Sequence, residues 1–171
     1  EGCRFDRTAL IQSFLFNFLN KIKMQSIIKV QEIDIPLSSV TLKGDLAIPE
    51  NAVGIVVFSH GSGSSRLSPR NRQVAELIEQ NNIGTFLFDL LTEQEDEIYE
   101  NRVNIDLVTS RLMEATEWLM QYKDAKGLPI AYFGASTGAA SALRAAAYFG
   151  NKIKAVVSRG GRPGLALKEL S

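Results

Sequence analysis

PIAYFGASTGAA, residues 129–140, sets a short apolar run directly before G-x-S-x-G and an alanine-rich stretch directly after it. Residues 130–133 have the length and composition of a buried strand. From Thr137 to about Tyr148 the chain is rich in Ala and Leu and predicts a helix. Strand, G-x-S-x-G and helix in that order are the context of a nucleophile elbow. A chain that reverses over so few residues holds the central Ser136 in a strained backbone conformation. Side chains two residues to either side would collide, which accounts for Gly134 and Gly138. The turn lifts the Ser136 hydroxyl clear of the sheet. It also leaves the Thr137 N–H, at the start of the new helix, free to bind an oxyanion. The plainer alternative is a glycine-softened turn before an Ala-rich helix.

Working outward, strand and helix keep alternating. VGIVVFS at 53–59 and GTFLFDL at 84–90 are apolar runs of buried-strand length. Residues 69–81 predict a helix with Val74, Leu77 and Ile78 turned inward. Residues 104–122 predict a longer helix with Ile105, Val108, Leu112, Ala115 and Leu119 on one face. Residues 153–158 form a last strand. At the start, residues 27–35 and 40–48 are rich in β-branched residues and alternate in part, which predicts an antiparallel hairpin. Lys43-Gly44 suggests a bulge within it. A hairpin feeding β-α-β-α-β-α-β predicts an α/β fold, a mostly parallel sheet with helices on both faces.

Residues 1–23 stand apart. Ile11, Phe14, Leu15, Phe18, Leu19 and Ile22 share one helical stripe, but the apolar part is too short for a bilayer and is broken by Gln12, Asn17 and Asn20. The sequence opens on Glu1, and Met24 reads as a natural start. Residues 1–23 are therefore expected to lie outside a domain formed by 24–171; a helix that docks on a partner is the alternative. The 171 residues suffice for one domain with a real core. Lys plus Arg and Asp plus Glu number 19 each, so no general attraction to nucleic acid or to an anionic membrane is implied. Cys3 is the single cysteine, which rules out an internal disulfide and fits a cytoplasmic location.

In such a sheet, ligands bind at the carboxyl ends of the strands, so the loops there matter most. The strand at 53–59 runs into His60-Gly61-Ser62-Gly63-Ser64-Ser65-Arg66. Small residues let backbone N–H groups point into a site, and with an elbow downstream this loop supplies the second oxyanion donor. The Ser62 N–H is the expected one, with that of Gly61 or Gly63 as the alternative. No Gly-Lys-Ser/Thr follows, so the loop is not a Walker loop. His60 is the only histidine. It precedes Ser136, whereas the order in this fold is serine, acid, histidine, so His60 is expected to brace the loop. Asp89 ends a strand near the site and either holds a neighbouring loop or is a satisfied polar group. The run Glu93, Glu95, Asp96, Glu97, Glu100 lacks the spacing of a calcium loop and reads as a solvated acidic loop; no metal site is visible. Arg66, Arg159 and Arg162, with Arg70 as a further candidate, share one end of the sheet and could attract an anionic substrate.

HGSGSSR at 60–66, GASTGAA at 134–140 and VVSRGGRP at 156–163 together resemble the dienelactone hydrolase-like α/β-hydrolases. Within them they resemble a bacterial and cyanobacterial group sometimes fused to, or named with, a phosphoribosyltransferase. The resemblance covers about residues 25–167. It implies the α/β-hydrolase fold and cleavage of an ester, lactone or other acyl bond of a small molecule through an acyl-enzyme on Ser136. The Thr137 and Ser62 N–H groups would form the oxyanion hole, with no cofactor. A phosphoribosyltransferase domain is the implied partner. Dienelactone hydrolases proper use a Cys nucleophile where this chain has Ser136, which argues against the dienelactone itself as substrate. The family's acid and histidine lie further along. After Ser136 this sequence holds one carboxylate, Glu169, following the wrong strand, and no histidine. The expectation is an N-terminal portion of a serine hydrolase, its sheet incomplete at the C-terminus and nearly inactive alone. Two readings remain beside it: a non-catalytic binding module on a hydrolase scaffold, and one half of a split enzyme.

Overall fold

The structure is a computed structural model that describes residues 28–161 and Gly164. The stripe within residues 1–23, Arg162 and Glu169 lie outside the described residues. Six strands form one sheet: β1 (Val30–Pro36), β2 (Thr41–Ala47), β3 (Ile55–Ser59), β4 (Gly84–Phe88), β5 (Ile130–Ala135) and β6 (Ile153–Arg159). Their order is β1-β2-β4-β3-β5-β6. The first two strands form the expected antiparallel hairpin, with Pro36 opposite Thr41, and β2 pairs antiparallel to β4. From β4 onward every pairing is parallel. After β3 the chain goes to one side to form β4, then returns to the other side to form β5. The strand order therefore reverses at β3, and the loops leaving β3 and β5 diverge to open a crevice between them.

Among the described residues there are five α-helices: α1 (Pro69–Glu79), α2 (Glu93–Asp96), α3 (Tyr99–Val103), α4 (Ile105–Gln121) and α5 (Thr137–Phe149). One face carries Ile35, Leu42, Phe86, Phe88, Val57 and Tyr132, against which α4 and α5 lay Leu112, Ala115, Leu119, Ala142 and Ala145. On the other face α1 packs Ala75, Val74 and Ile78 over Phe58, Leu87 and Phe133. Both faces are thus covered, as a parallel sheet requires. The starts of α1 and α4 follow from local chemistry. Ser68 accepts the Asn71 N–H before Pro69, and Asn104 accepts the Leu107 N–H.

Three expectations need correction. Leu77 is 62% exposed, because the buried stripe of α1 runs through Asn71, Ala75 and Glu79. Gly44 marks no bulge: the register is unbroken on both sides of β2, and a Cβ there would lie 2.9 Å from Ile35 and 3.0 Å from Phe86. The glycine leaves room for the Ile35 and Phe86 side chains to close over the strand. The acidic run is exposed at Glu93, Glu97 and Glu100, as expected, but it is not a loop. It folds into α2 and α3, started by a capping box between Thr92 and Glu95. Burial pushes the Glu95 carboxyl up, but the Thr92 N–H and the Arg111 guanidinium at 2.8 Å outweigh it and hold it below the usual range. Among the described residues β6 pairs only with β5, and Val157 on it is 53% exposed. No described helix is long and apolar enough to cross a membrane.

The two helical leucines separate the two faces experimentally. Leu112 is fully buried, so Leu112→Ala should lower the unfolding free energy by about 2–5 kcal/mol. Leu77→Ala should stay within about 0.5 kcal/mol. Urea unfolding followed by circular dichroism checks both; equal losses would contradict this packing.

Candidate active site

Ser136 sits between the last residue of β5 and the first of α5 with φ 51° and ψ −118°. That left-handed conformation is strained for any residue with a Cβ. It persists because its surroundings leave no alternative. A Cβ on Gly138 would lie 2.1 Å from the Ser59 carbonyl oxygen and 2.3 Å from that of His60. The first turn of α5 therefore rests directly on the exit of β3. Below it, the Ser141 hydroxyl donates to the Gly138 carbonyl at 3.1 Å, and the Ser59 hydroxyl lies 2.8 Å from Ser141. The Ser136 N–H donates to the Arg159 carbonyl at 3.3 Å, which ties the elbow to the end of β6. Ser136 is half-buried, and among the described residues its hydroxyl has no hydrogen-bond partner.

The loop after β3 lies beside the elbow and is held at both ends by residues that follow β4. His60 Nε2 accepts the Leu90 N–H at 3.1 Å, so the ring proton resides on Nδ1, 3.0 Å from the Gly61 carbonyl. Neither nitrogen is left for Ser136. At the other end Arg66 donates its backbone N–H and its Nε to Asp89, at 2.8 and 3.1 Å. Its Nη1 reaches Asp45 on β2 at 2.8 Å, and Arg72 of α1 holds the other Asp45 oxygen at 2.7 Å. Arg66 is thus occupied by carboxylates, and Asp89 holds the neighbouring loop. Gly63 takes φ +69°, which lets the loop turn between these anchors. Between them the Ser62 N–H points to the elbow and donates to the Thr137 hydroxyl at 2.9 Å.

Beside Ser136 an open cleft of about 580 Å³ is lined by Gly61, Ser64, Arg70, Asn71 and Arg159, among others. Arg159 lies over the Phe133 ring, 5.6 Å from its centre, and donates to Asn71 Oδ1 at 3.3 Å. Arg70 is exposed at the cleft rim. Of the residues singled out in the sequence, Ser136, Gly61 and Arg159 line this cleft, and Ser62 is bonded to Thr137 beside it. Sequence reasoning missed Asp45 and Asn71. Their partners are 21 and 88 residues away, and nothing local marks either side chain.

Burial holds His60 below its ordinary value of 6.5, against the raising effects of the Gly61 carbonyl, Asp89 and Asp96. A histidine with a lowered folded pKa binds protons more readily when unfolded. Its contribution to stability is therefore complete above about 6.5 and is lost as the pH falls through the lower folded value. As this chain's single histidine, it should show a ring-proton titration midpoint below 6.5 by NMR, and stability should decline over the same window. A midpoint above 6.5 would contradict the assigned ring environment.

Comparison with known proteins places this geometry. No family model matches the chain. Two Mycobacterium tuberculosis proteins that carry the name phosphoribosyl transferase are 51% identical over 136 residues, which is 80% of this chain and 31% of theirs. The chain thus spans about a third of the length of these curated relatives. Among solved structures, a dienelactone hydrolase from Anabaena variabilis superposes with a TM-score of 0.81 at 49% identity, over 83% of this chain and 68% of that one. An esterase from Pyrococcus furiosus shares the fold at 21% identity, with a TM-score of 0.65 over 78% of this chain and 50% of its own. With half of its residues shared across two thirds of a dienelactone hydrolase, and with a TM-score of 0.81 to it, this chain belongs to the dienelactone hydrolase family of α/β-hydrolases.

Proposed function

We propose that this chain carries the nucleophile and the oxyanion donors of a serine hydrolase that cleaves a carboxylic ester or lactone through an acyl-enzyme on Ser136. The observation that carries the reading is the Ser136 backbone at φ 51°, fixed between β5 and α5 with the Thr137 N–H beside it. In this reading the Ser136 oxygen attacks the acyl carbon and its proton passes to a base. The carbonyl electron pair moves onto oxygen and is held by N–H donors at the start of α5. His60 is hydrogen-bonded through both ring nitrogens, so the base comes from another segment or chain. The share of the dienelactone hydrolase that this chain spans, 68%, supports a further segment as its source.

The cleft favours an anionic acyl compound. Arg159 and Arg70 line it, whereas Arg66 is neutralised by Asp45 and Asp89. The anion-binding role expected of Arg66 therefore passes, in this proposal, to Arg159 and Arg70. The phosphoribosyltransferase partner rests only on the name of the mycobacterial relatives, and a cytoplasmic site of action only on the single cysteine.

The test uses the complete gene product that contains this chain. A fluorophosphonate probe should add its mass to the peptide bearing Ser136. Ser136→Ala should abolish labelling and lower aryl-ester hydrolysis by about 10⁴-fold or more. Arg159→Ala should raise KM about 10-fold for an aryl hemisuccinate while leaving that for the neutral aryl acetate within about 2-fold. Undiminished hydrolysis by Ser136→Ala would sink the acyl-enzyme reading; absence of both labelling and hydrolysis in the unsubstituted protein would leave a binding module on a hydrolase scaffold.

A further inference from the structure

The backbone N–H of Ser62 already has an acceptor. It donates to Thr137 Oγ1 at 2.9 Å, and the Thr137 side chain is buried. A hydroxyl offers one proton and two lone pairs. Here one lone pair takes the Ser62 N–H, while among the described residues the hydroxyl proton has no acceptor. The same residue supplies the free N–H at the start of α5. Thr137 thus carries two donors, its amide and its hydroxyl, and the Ser62 amide is bonded to the hydroxyl oxygen.

We propose that the Thr137 hydroxyl is the second oxyanion donor and that the Ser62 amide acts through it. The proposal rests on the acyl-enzyme reading above. Three physical arguments carry it. An oxyanion hole works best when its donors need no rearrangement as charge develops. For Ser62 to serve directly, its N–H would have to leave Thr137 and swing to the substrate; the Thr137 hydroxyl needs only to rotate its proton. A hydroxyl that accepts an N–H bond is polarised and donates more strongly, so the Ser62 amide strengthens the donor in front of it. The relay is also held in place from behind. His60 and Arg66 pin the loop, and Gly138 seats α5 on the same strand exit.

In the step itself the Ser136 oxygen bonds to the acyl carbon, the carbonyl π pair moves onto oxygen, and the Ser136 proton goes to the base. Thr137 keeps its proton throughout and shares it with the oxyanion as a hydrogen bond. When the intermediate collapses, the π pair returns, the bond to the leaving group breaks, and the leaving group takes the proton from the base.

The test compares Thr137→Val, which keeps the shape without the hydroxyl, with Thr137→Ser, which keeps the hydroxyl. Both are made in the complete gene product, with Thr137→Ala in place of the valine variant if that does not fold. Thr137→Val should lower kcat on an aryl ester about 10²-fold with KM within a few-fold, and Thr137→Ser should recover most of the loss. On the matching thionoester, whose sulfur is a poor acceptor, the penalty of Thr137→Val should shrink several-fold. A penalty equal on ester and thionoester would overturn the proposal, since the hydroxyl would then only shape the loop; so would wild-type kcat in Thr137→Val. Failure of the acyl-enzyme reading shows separately, as hydrolysis that survives Ser136→Ala.

Discussion

The site depends on one contact between backbones. The first turn of α5 rests on the carbonyls of Ser59 and His60 so closely that only a glycine fits at position 138. That approach fixes where the helix begins relative to β3, and β5 fixes where the strand ends. Ser136 bridges the two and has no freedom to relax out of φ 51°. Such a conformation costs about 1–3 kcal/mol. It is offset by the parts that meet there: five parallel register pairs between β3 and β5, the packed alanines of α5, and the buried hydroxyls of Ser59 and Ser141. The strain is held by the centre of the sheet, where local opening is least favourable.

The loop after β3 obeys a second constraint. Seven small or polar residues cannot build a packed core of their own, so their geometry must be imposed from outside. It is imposed by β4. Asp89 and Leu90 leave that strand and take hold of Arg66 and His60, the two ends of the loop. A neutral His60 serves this purpose better than a charged one, since its Nε2 can accept the Leu90 N–H only when unprotonated. Burial, which keeps the ring neutral, is thus part of the brace.

What was legible in the sequence was local. The elbow could be read because strand, glycines, serine and helix lie within 12 consecutive residues, each with its own compositional signal. The two faces of α4 could be read because Val108, Leu112, Ala115 and Leu119 repeat with the helical period. Leu77 was misjudged because α1 is short and only partly covered; its apolar residues outnumber the positions that face the sheet. The acidic run was misjudged because its order comes from Arg111, 16 residues beyond Glu95 and on another helix. Gly44 was read as a bulge because a glycine forced by the Ile35 and Phe86 side chains of the neighbouring strands looks, in sequence, like a glycine forced by backbone bending.

Arg66 shows how far the site reaches. As a cation on a loop near a nucleophile, it has the appearance of a substrate ligand. In the fold its fork of donors joins Asp89, beyond β4, to Asp45 on the antiparallel strand β2. Asp45 is also clasped by Arg72 from α1, so one carboxylate collects a loop and a helix onto the hairpin edge of the sheet. A lysine could not make this connection, because it offers a single point of charge where a planar, five-donor group is used. The N-terminal hairpin is therefore more than a cover for the parallel sheet. Through Asp45 it sets the far end of the loop whose near end faces Ser136, so a change on β2, remote in sequence and away from the cleft, would be felt as a shift of the Ser62 amide and of the Thr137 hydroxyl to which it is bonded.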